Sequence, residues 1–204
     1  MKSLKLICLL IVSPVVLAQF VKPVIPAANQ MKCFKKTCKL AGRYACRDSS
    51  DERKMFDACS RQQDINCLNN SLKALSSFEA DDVYELSRVA KSCQYVDSSA
   101  VKESKKYLSS FEYDDLNEVT QINDAHWLSS KDCLSDTYSL VRTFGLDKHE
   151  IILLARGCGG TYAKGCLKDL CEVRGRYACD EVDEITSAMK YCVYAPTPQQ
   201  RREL

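Results

Sequence analysis

Thirteen cysteines and two histidines, His126 and His149, are the residues of this 204-residue chain with the most chemical reach. A thiolate beside a histidine is a nucleophile or a metal ligand, whereas thiols paired in an oxidising compartment are cross-links and nothing more. The first residues choose between these. Met1, Lys2 and Lys5 precede the apolar run Leu6–Val12, and Val16 and Ala18 suit cleavage before Gln19, the pattern of a secretory signal over residues 1–18. The run is short for a membrane span and is interrupted by Pro14. Removing it takes Cys8 away and leaves twelve cysteines, an even number that implies up to six disulfides.

With the thiols paired, His126 and His149 lack a third ligand type beside them, so neither metal binding nor Cys–His catalysis is expected. No Cys-x2-Cys redox pair occurs. The glycine-rich "GCGGTYAKG", residues 157–165, lacks the spacing of a phosphate-binding loop and reads as a turn between helical units. The acidic pairs Asp81-Asp82 and Asp114-Asp115 lack the ligand pattern of a calcium loop and are better helix caps. The chain is therefore not read as an enzyme, and no cofactor is implied. A net charge of +2, without a basic stripe or a run of like charges, argues against nucleic acid or an anionic surface as partner.

The cysteines are ordered by a repeat. Cys33-x4-Cys38-x7-Cys46-x12-Cys59 is matched in every interval by Cys166-x4-Cys171-x7-Cys179-x12-Cys192, and the wording "GRYAC" occurs in both. Segments 67–93 and 133–158 also begin and end on cysteine, and 100–126 shares the wording "LSSFExDD" with 75–82 but has no cysteine. Aromatics at Tyr44, Phe78, Phe111, Phe144 and Tyr177 mark successive copies 34, 33, 33 and 33 residues apart. The fold class expected is all-α: five tandem disulfide-stapled helical hairpins of about 33 residues, stacked as a compact array or bundle. The units are 33–59, 67–93, 100–126, 133–158 and 166–192, with an N-terminal linker over 19–32 and a flexible, proline-containing tail over 193–204.

Apolar residues recur at helical spacing in both halves of a unit: Leu68, Leu72 and Leu75, then Val83, Leu86, Ala90 and Cys93; Leu167, Leu170 and Val173, then Val182, Ile185, Met189 and Cys192. Strand alternation is absent. Asp81, Asp114, Asp147 and Asp180, three residues after the aromatic, are the expected caps of the second helices. In an antiparallel hairpin the first residue of one helix meets the last of the next, so the expected bonds are Cys33–Cys59, Cys67–Cys93, Cys133–Cys158 and Cys166–Cys192. In the third unit Ala100 and His126 replace both partners at once. Cys38, Cys46, Cys171 and Cys179 pair either locally, Cys38–Cys46 and Cys171–Cys179, or between the terminal units.

Three further features bear on function. Asn69-Asn70-Ser71 is an acceptor for N-glycosylation at Asn69. The unstapled third unit carries Tyr107, Tyr113 and His126 with Trp127 just after it; these either fill core space or form a surface that admits a partner. Arg201-Arg202-Glu203-Leu204 ends like a signal for retention in the endoplasmic reticulum, but with arginine at the second place. The function expected is a secreted cysteine-rich interaction protein that binds an extracellular or lumenal protein, and the alternative is a carrier of a small apolar ligand or lipid.

Overall fold

The computed structural model describes residues 25–42, 46–76, 79–141, 146–175 and 178–204. Tyr44, Phe78, Phe144 and Tyr177, and residues 1–18 expected to form a signal, lie outside the described residues. Phe111 is described, and it is 80% exposed at a chain reversal.

Among the described residues the chain is mostly helical. Its helices are α1 (Ala27–Leu40), α2 (Ser49–Ala58), α3 (Ile65–Ala74), α4 (Val83–Ser92), α5 (Ser98–Ser104), α6 (Leu116–Ala125), α7 (Lys131–Leu140), α8 (Lys148–Gly157), α9 (Cys166–Arg174), α10 (Val182–Cys192) and α11 (Pro198–Glu203). Two two-residue strands, β1 (Thr161–Tyr162) and β2 (Val193–Tyr194), pair antiparallel. They are too short to show any alternation in sequence, which is why pattern reading finds no strand.

Six disulfides close this framework: Cys33–Cys59, Cys67–Cys93, Cys133–Cys158, Cys166–Cys192, Cys38–Cys46 and Cys171–Cys179. Each of the four long ones ties one helix to the end of the next, from the first turn of α3, α7 and α9 but from the middle of α1, with Cα atoms 5.6–5.7 Å apart. Closing loops of this length is worth about 3.5 kcal/mol each in the chain-entropy account. The two short bonds require the chain to reverse within eight residues. Gly42 at φ +94° and Gly175 at φ +101° make that reversal, a left-handed backbone that glycine adopts without Cβ strain. The shared wording "GRYAC" thus opens on the glycine of positive φ and ends on the bonded cysteine.

The second helices are capped, but one residue later than expected in most units. Asp48, Asp82 and Asp115 accept backbone N–H groups of α2, α4 and α6, and Glu181 holds the same place before α10. Only Asp147 caps at the expected offset. The 133–158 disulfide spans 25 residues where the other long ones span 26, so this unit has lost one residue from its loop. Asp81, Asp114 and Asp180 therefore precede the caps. A second set of caps, Asp64, Asp97 and Ser130, starts α3, α5 and α7 at intervals of 33 residues.

The helices pack in two rows. In one, α1 lies against α3, α3 against α5, α5 against α7 and α7 against α9; in the other, α2 contacts α4, α4 contacts α6, α6 contacts α8 and α8 contacts α10. The core lies between them and includes Leu68, Leu86, Val89, Ile122, Leu134, Ile151, Leu154, Leu167, Ile185 and Met189. A middle helix has neighbours on both sides and buries a wider face than one stripe, as Val89 beside Leu86 and Ala90 shows. An end helix does not: Val173, placed in the apolar stripe of α9 by spacing, is 86% exposed because only α7 flanks it in its row.

The segments between helix pairs form a backbone ladder. The amide of Tyr95 donates to Arg61 (3.0 Å), that of Leu128 to Tyr95 (3.0 Å) and that of Gly160 to Leu128 (3.1 Å). Arg61, Tyr95 and Leu128 have φ near +60°, a cost for non-glycine residues that the ladder bonds offset.

Residues 193–204, read from sequence as a flexible tail, form β2 and then α11, which Thr197 caps. Leu204 is buried, and its carbonyl accepts the Tyr95 hydroxyl.

Candidate functional site

Four residues after the first cysteine position of successive units stand Thr37, Ser71, Ser104 and Thr137. Each hydroxyl is buried and faces what closes its unit: Cys59 Sγ, Cys93 Sγ and Cys158 Sγ at 3.7–3.8 Å, but His126 Nε2 at 2.7 Å in the third. His126 and Ala100 stand at the two positions of the missing disulfide, and both are fully buried. Nδ1 lies 2.6 Å from the Ile122 carbonyl, so Nδ1 carries the proton and Nε2 accepts from Ser104. Ser104 in turn accepts from the Tyr138 hydroxyl, 2.6 Å away. Burial pushes the His126 pKa down to about 4, against the weaker opposing effect of the Ile122 carbonyl. Burial likewise raises the Tyr138 phenol.

A serine hydrogen-bonded to a neutral histidine is the first half of a nucleophilic site. Here neither residue meets solvent, and the second ring nitrogen is held by a backbone carbonyl where a catalytic pair has an orienting acid. The arrangement is a hydrogen-bonded staple.

The residues expected to form a partner surface in the third unit are dispersed. Tyr113 is buried, with its hydroxyl 3.0 Å from Asn123 Oδ1 and 3.2 Å from Ser71. Asn123 continues the network to Ser71 and Ser92. His126 is interior, as described. Tyr107 is 42% exposed and lies on the Tyr138 ring, centroids 4.4 Å apart. Trp127 is half-buried on the far side of the unit, edge-on to Tyr95, with the Arg201 guanidinium 5.5 Å from its ring centre. Tyr113 and His126 thus belong to the interior, and Trp127 to the seat of the α11 tail. His126 faces inward because it replaces a staple cysteine, and Tyr113, in the turn before α6, is drawn in by its hydrogen bonds to Asn123 and Ser71.

The other candidates have structural partners. The segment 157–165 runs between helix pairs. Its Gly160 amide is taken by Leu128 and its Gly165 amide by Asp136, and a Cβ on Gly160 would come within 2.5 Å of the Tyr194 carbonyl. Those amides are spent on the fold and do not face a phosphate. Asp136 also binds the Tyr162 hydroxyl at 2.8 Å and Lys168 at 2.9 Å. Burial opposes its charge, yet Lys168, Tyr162 and the Gly165 amide together hold its pKa below the usual range. This cluster fastens α7 to β1 and α9. His149 is exposed on α8. Among the described residues no group of three or more His, Cys, Asp or Glu side chains is placed to hold a metal ion.

A recess that sequence reading missed lies between α3 and α5. It encloses about 450 Å³, and its lining includes Ala74, Val101 and Tyr113 as well as Lys73, Lys102 and Lys105. The Lys105 ammonium sits 3.8 Å from the centre of the Tyr113 ring, where desolvation lowers its pKa. Asn69, the glycosylation acceptor, stands on α3 nearby and accepts a hydrogen bond from Lys36 of α1. The three lysines are 29 and 3 residues apart in sequence, so no local run betrays them. Aligning units on their first cysteine would have found a related signal: Lys39, Lys73 and Lys106 occupy one position.

Comparison of the chain with family models, curated proteins and solved structures found no match.

Proposed function

We propose that the protein is a secreted interaction module: five helical hairpins in tandem, four stapled by disulfide and the third by His126 and Ser104, presenting the outer faces of two helix rows to a protein partner. The supporting observation is that the space between the rows is occupied by side chains such as Leu86, Ile122, Leu154 and Ile185 at 0% exposure. Binding by such a body uses its outside, as in other helical arrays. Six disulfides are compatible with an extracellular or lumenal setting. No helix among the described residues is long and apolar enough to cross a membrane. Retention through Arg201–Leu204 would require the tail to leave its seat on Tyr95, because Leu204 is 5% exposed there.

The carrier alternative needs an interior volume, and the recesses found are open clefts at the surface; the filled core weighs against it. The test is a binding screen of the disulfide-intact protein against secreted proteins and receptor ectodomains, with native mass spectrometry of the same sample. A saturable partner whose binding vanishes on reduction supports the proposal. A stoichiometric co-purified lipid with no protein partner would replace it by the carrier.

A further inference from the structure

The near-neutral chain hides an uneven distribution of charge. Helices α1, α3 and α5 carry six lysines, Lys32, Lys35, Lys36, Lys39, Lys73 and Lys102, against one acidic residue, Glu103. Glu103 is buried and already bonded to Lys106 at 2.7 Å. Elsewhere the helices mix both signs: α7 and α9, in the same row, carry Asp132, Asp136, Asp169 and Glu172. The N-terminal part of one row is therefore a basic face, and the sequence reading that found no basic stripe is corrected. The stripe is assembled across three helices, each contributing a few residues some 30 positions from the next.

Lys35, Lys39, Lys73, Lys102 and Lys105 are exposed on this face, and none of them is in a salt bridge among the described residues. Packed helices lie about 8–10 Å apart, so the lysines of α1, α3 and α5 follow one another across the row at roughly that interval. The recess between α3 and α5 interrupts the line with a concavity lined by Ala74, Val101 and Tyr113 together with Lys73, Lys102 and Lys105.

We propose that this face binds a linear sulfated polysaccharide, with one sulfated sugar seated in the recess among Lys73, Lys102 and Lys105 and the chain continuing over Lys35 and Lys39. Charge complementarity selects a polyanion. The geometry selects one that is narrow and carries charge at intervals comparable to the helix spacing. A recess of about 450 Å³ is within the range of small-ligand sites, and its lysines line a hollow where a bilayer surface would want a platform. Lysine is a fitting residue for this chemistry, a point charge that meets sulfate without demanding a planar partner. An anion at this place would also relieve the desolvated Lys105. The inference is independent of whether a protein partner exists, since it concerns one face only.

The test uses the full, disulfide-intact protein and heparin as the sulfated probe, at about physiological ionic strength, where exposed charges more than ~8 Å apart are largely screened. The protein is expected to bind, with affinity falling as salt rises. The triple variant Lys73→Ala/Lys102→Ala/Lys105→Ala should bind about tenfold more weakly, as three exposed ion pairs imply. The control Lys54→Ala/Lys91→Ala/Lys190→Ala removes equal charge from α2, α4 and α10 and should keep the parent affinity. Unchanged circular dichroism verifies that both variants are folded. Absence of binding, or equal losses in the two variants, would overturn the site. Equal binding of polyglutamate or of vesicles containing phosphatidylserine would overturn the assignment to a sulfated polysaccharide.

Discussion

Replacing His126 by glutamine should remove a block of acid sensitivity between pH 6.5 and pH 4. The folded protein holds this imidazole neutral, with its pKa depressed to about 4 from 6.5. The unfolded chain takes up a proton as soon as pH falls below about 6.5, while the folded chain resists until about 4. The stability contributed is therefore complete above the unfolded value and is lost as pH falls through that window. The ring is fully buried, so solvent screening does not discount the effect. At 1.36 kcal/mol per pKa unit, the loss is about 2 kcal/mol by pH 5 and about 3 kcal/mol at pH 4. Asp124, whose pKa burial raises, acts in the opposite sense, and comparison with the variant cancels its contribution. The assay is urea unfolding, disulfides intact, of both proteins from pH 7 to pH 4.5. The parent should lose stability relative to His126→Gln by about 2 kcal/mol between pH 7 and 5. Parallel curves would refute the reasoning. Because the variant also forfeits the Ser104 hydrogen bond, worth about 1 kcal/mol, an independent check is the NMR titration of the His126 ring in the parent; a midpoint near 6.5 in the folded protein would equally refute it.

Two further perturbations follow from the same geometry. The double variant Ala100→Cys/His126→Cys should form a fifth long disulfide, seen as a fully oxidised mass without free thiol, and gain about 3.5 kcal/mol from loop closure less ~1 kcal/mol for the lost hydrogen bond. Its melting temperature should rise by several degrees. Trp127 is the single tryptophan, so removal of residues 198–204 should shift its fluorescence to the red and increase quenching by acrylamide; an unchanged spectrum would mean that the tail does not sit on Tyr95 and Trp127.

Different parts of this molecule differ in how they are written. Cysteine intervals are covalent geometry: 26 residues between Cys33 and Cys59 bring a helical hairpin back on itself, and that distance can be read without coordinates. Helix caps are nearly as open, but Asp81-Asp82 and Asp114-Asp115 each offer two candidates, and only the shortened loop before Asp147 betrays which one is in register. The ladder through Arg61, Tyr95 and Leu128 has no signature, because it is made of backbone atoms at positions where side-chain identity varies. The docking of Leu204 on Tyr95 joins residues 109 positions apart through one hydroxyl and one carbonyl. The lysine recess is hidden for a related reason: spacing shows which helix a charge belongs to, but only packing shows which helices are neighbours. The candidate surface of the third unit is dispersed by packing, since His126 stands where a staple would and faces inward, and Tyr113, in the turn before α6, is held inside by Asn123 and Ser71.

The stapled-hairpin architecture underlies every inference above, and peptide mapping of the unreduced protein tests it most directly. The account predicts six linkages, each within one unit: Cys33–Cys59, Cys38–Cys46, Cys67–Cys93, Cys133–Cys158, Cys166–Cys192 and Cys171–Cys179. A peptide joining Cys38 or Cys46 to Cys171 or Cys179 would contradict it, because the chain ends would then have to meet and the two open rows of helices could not stand.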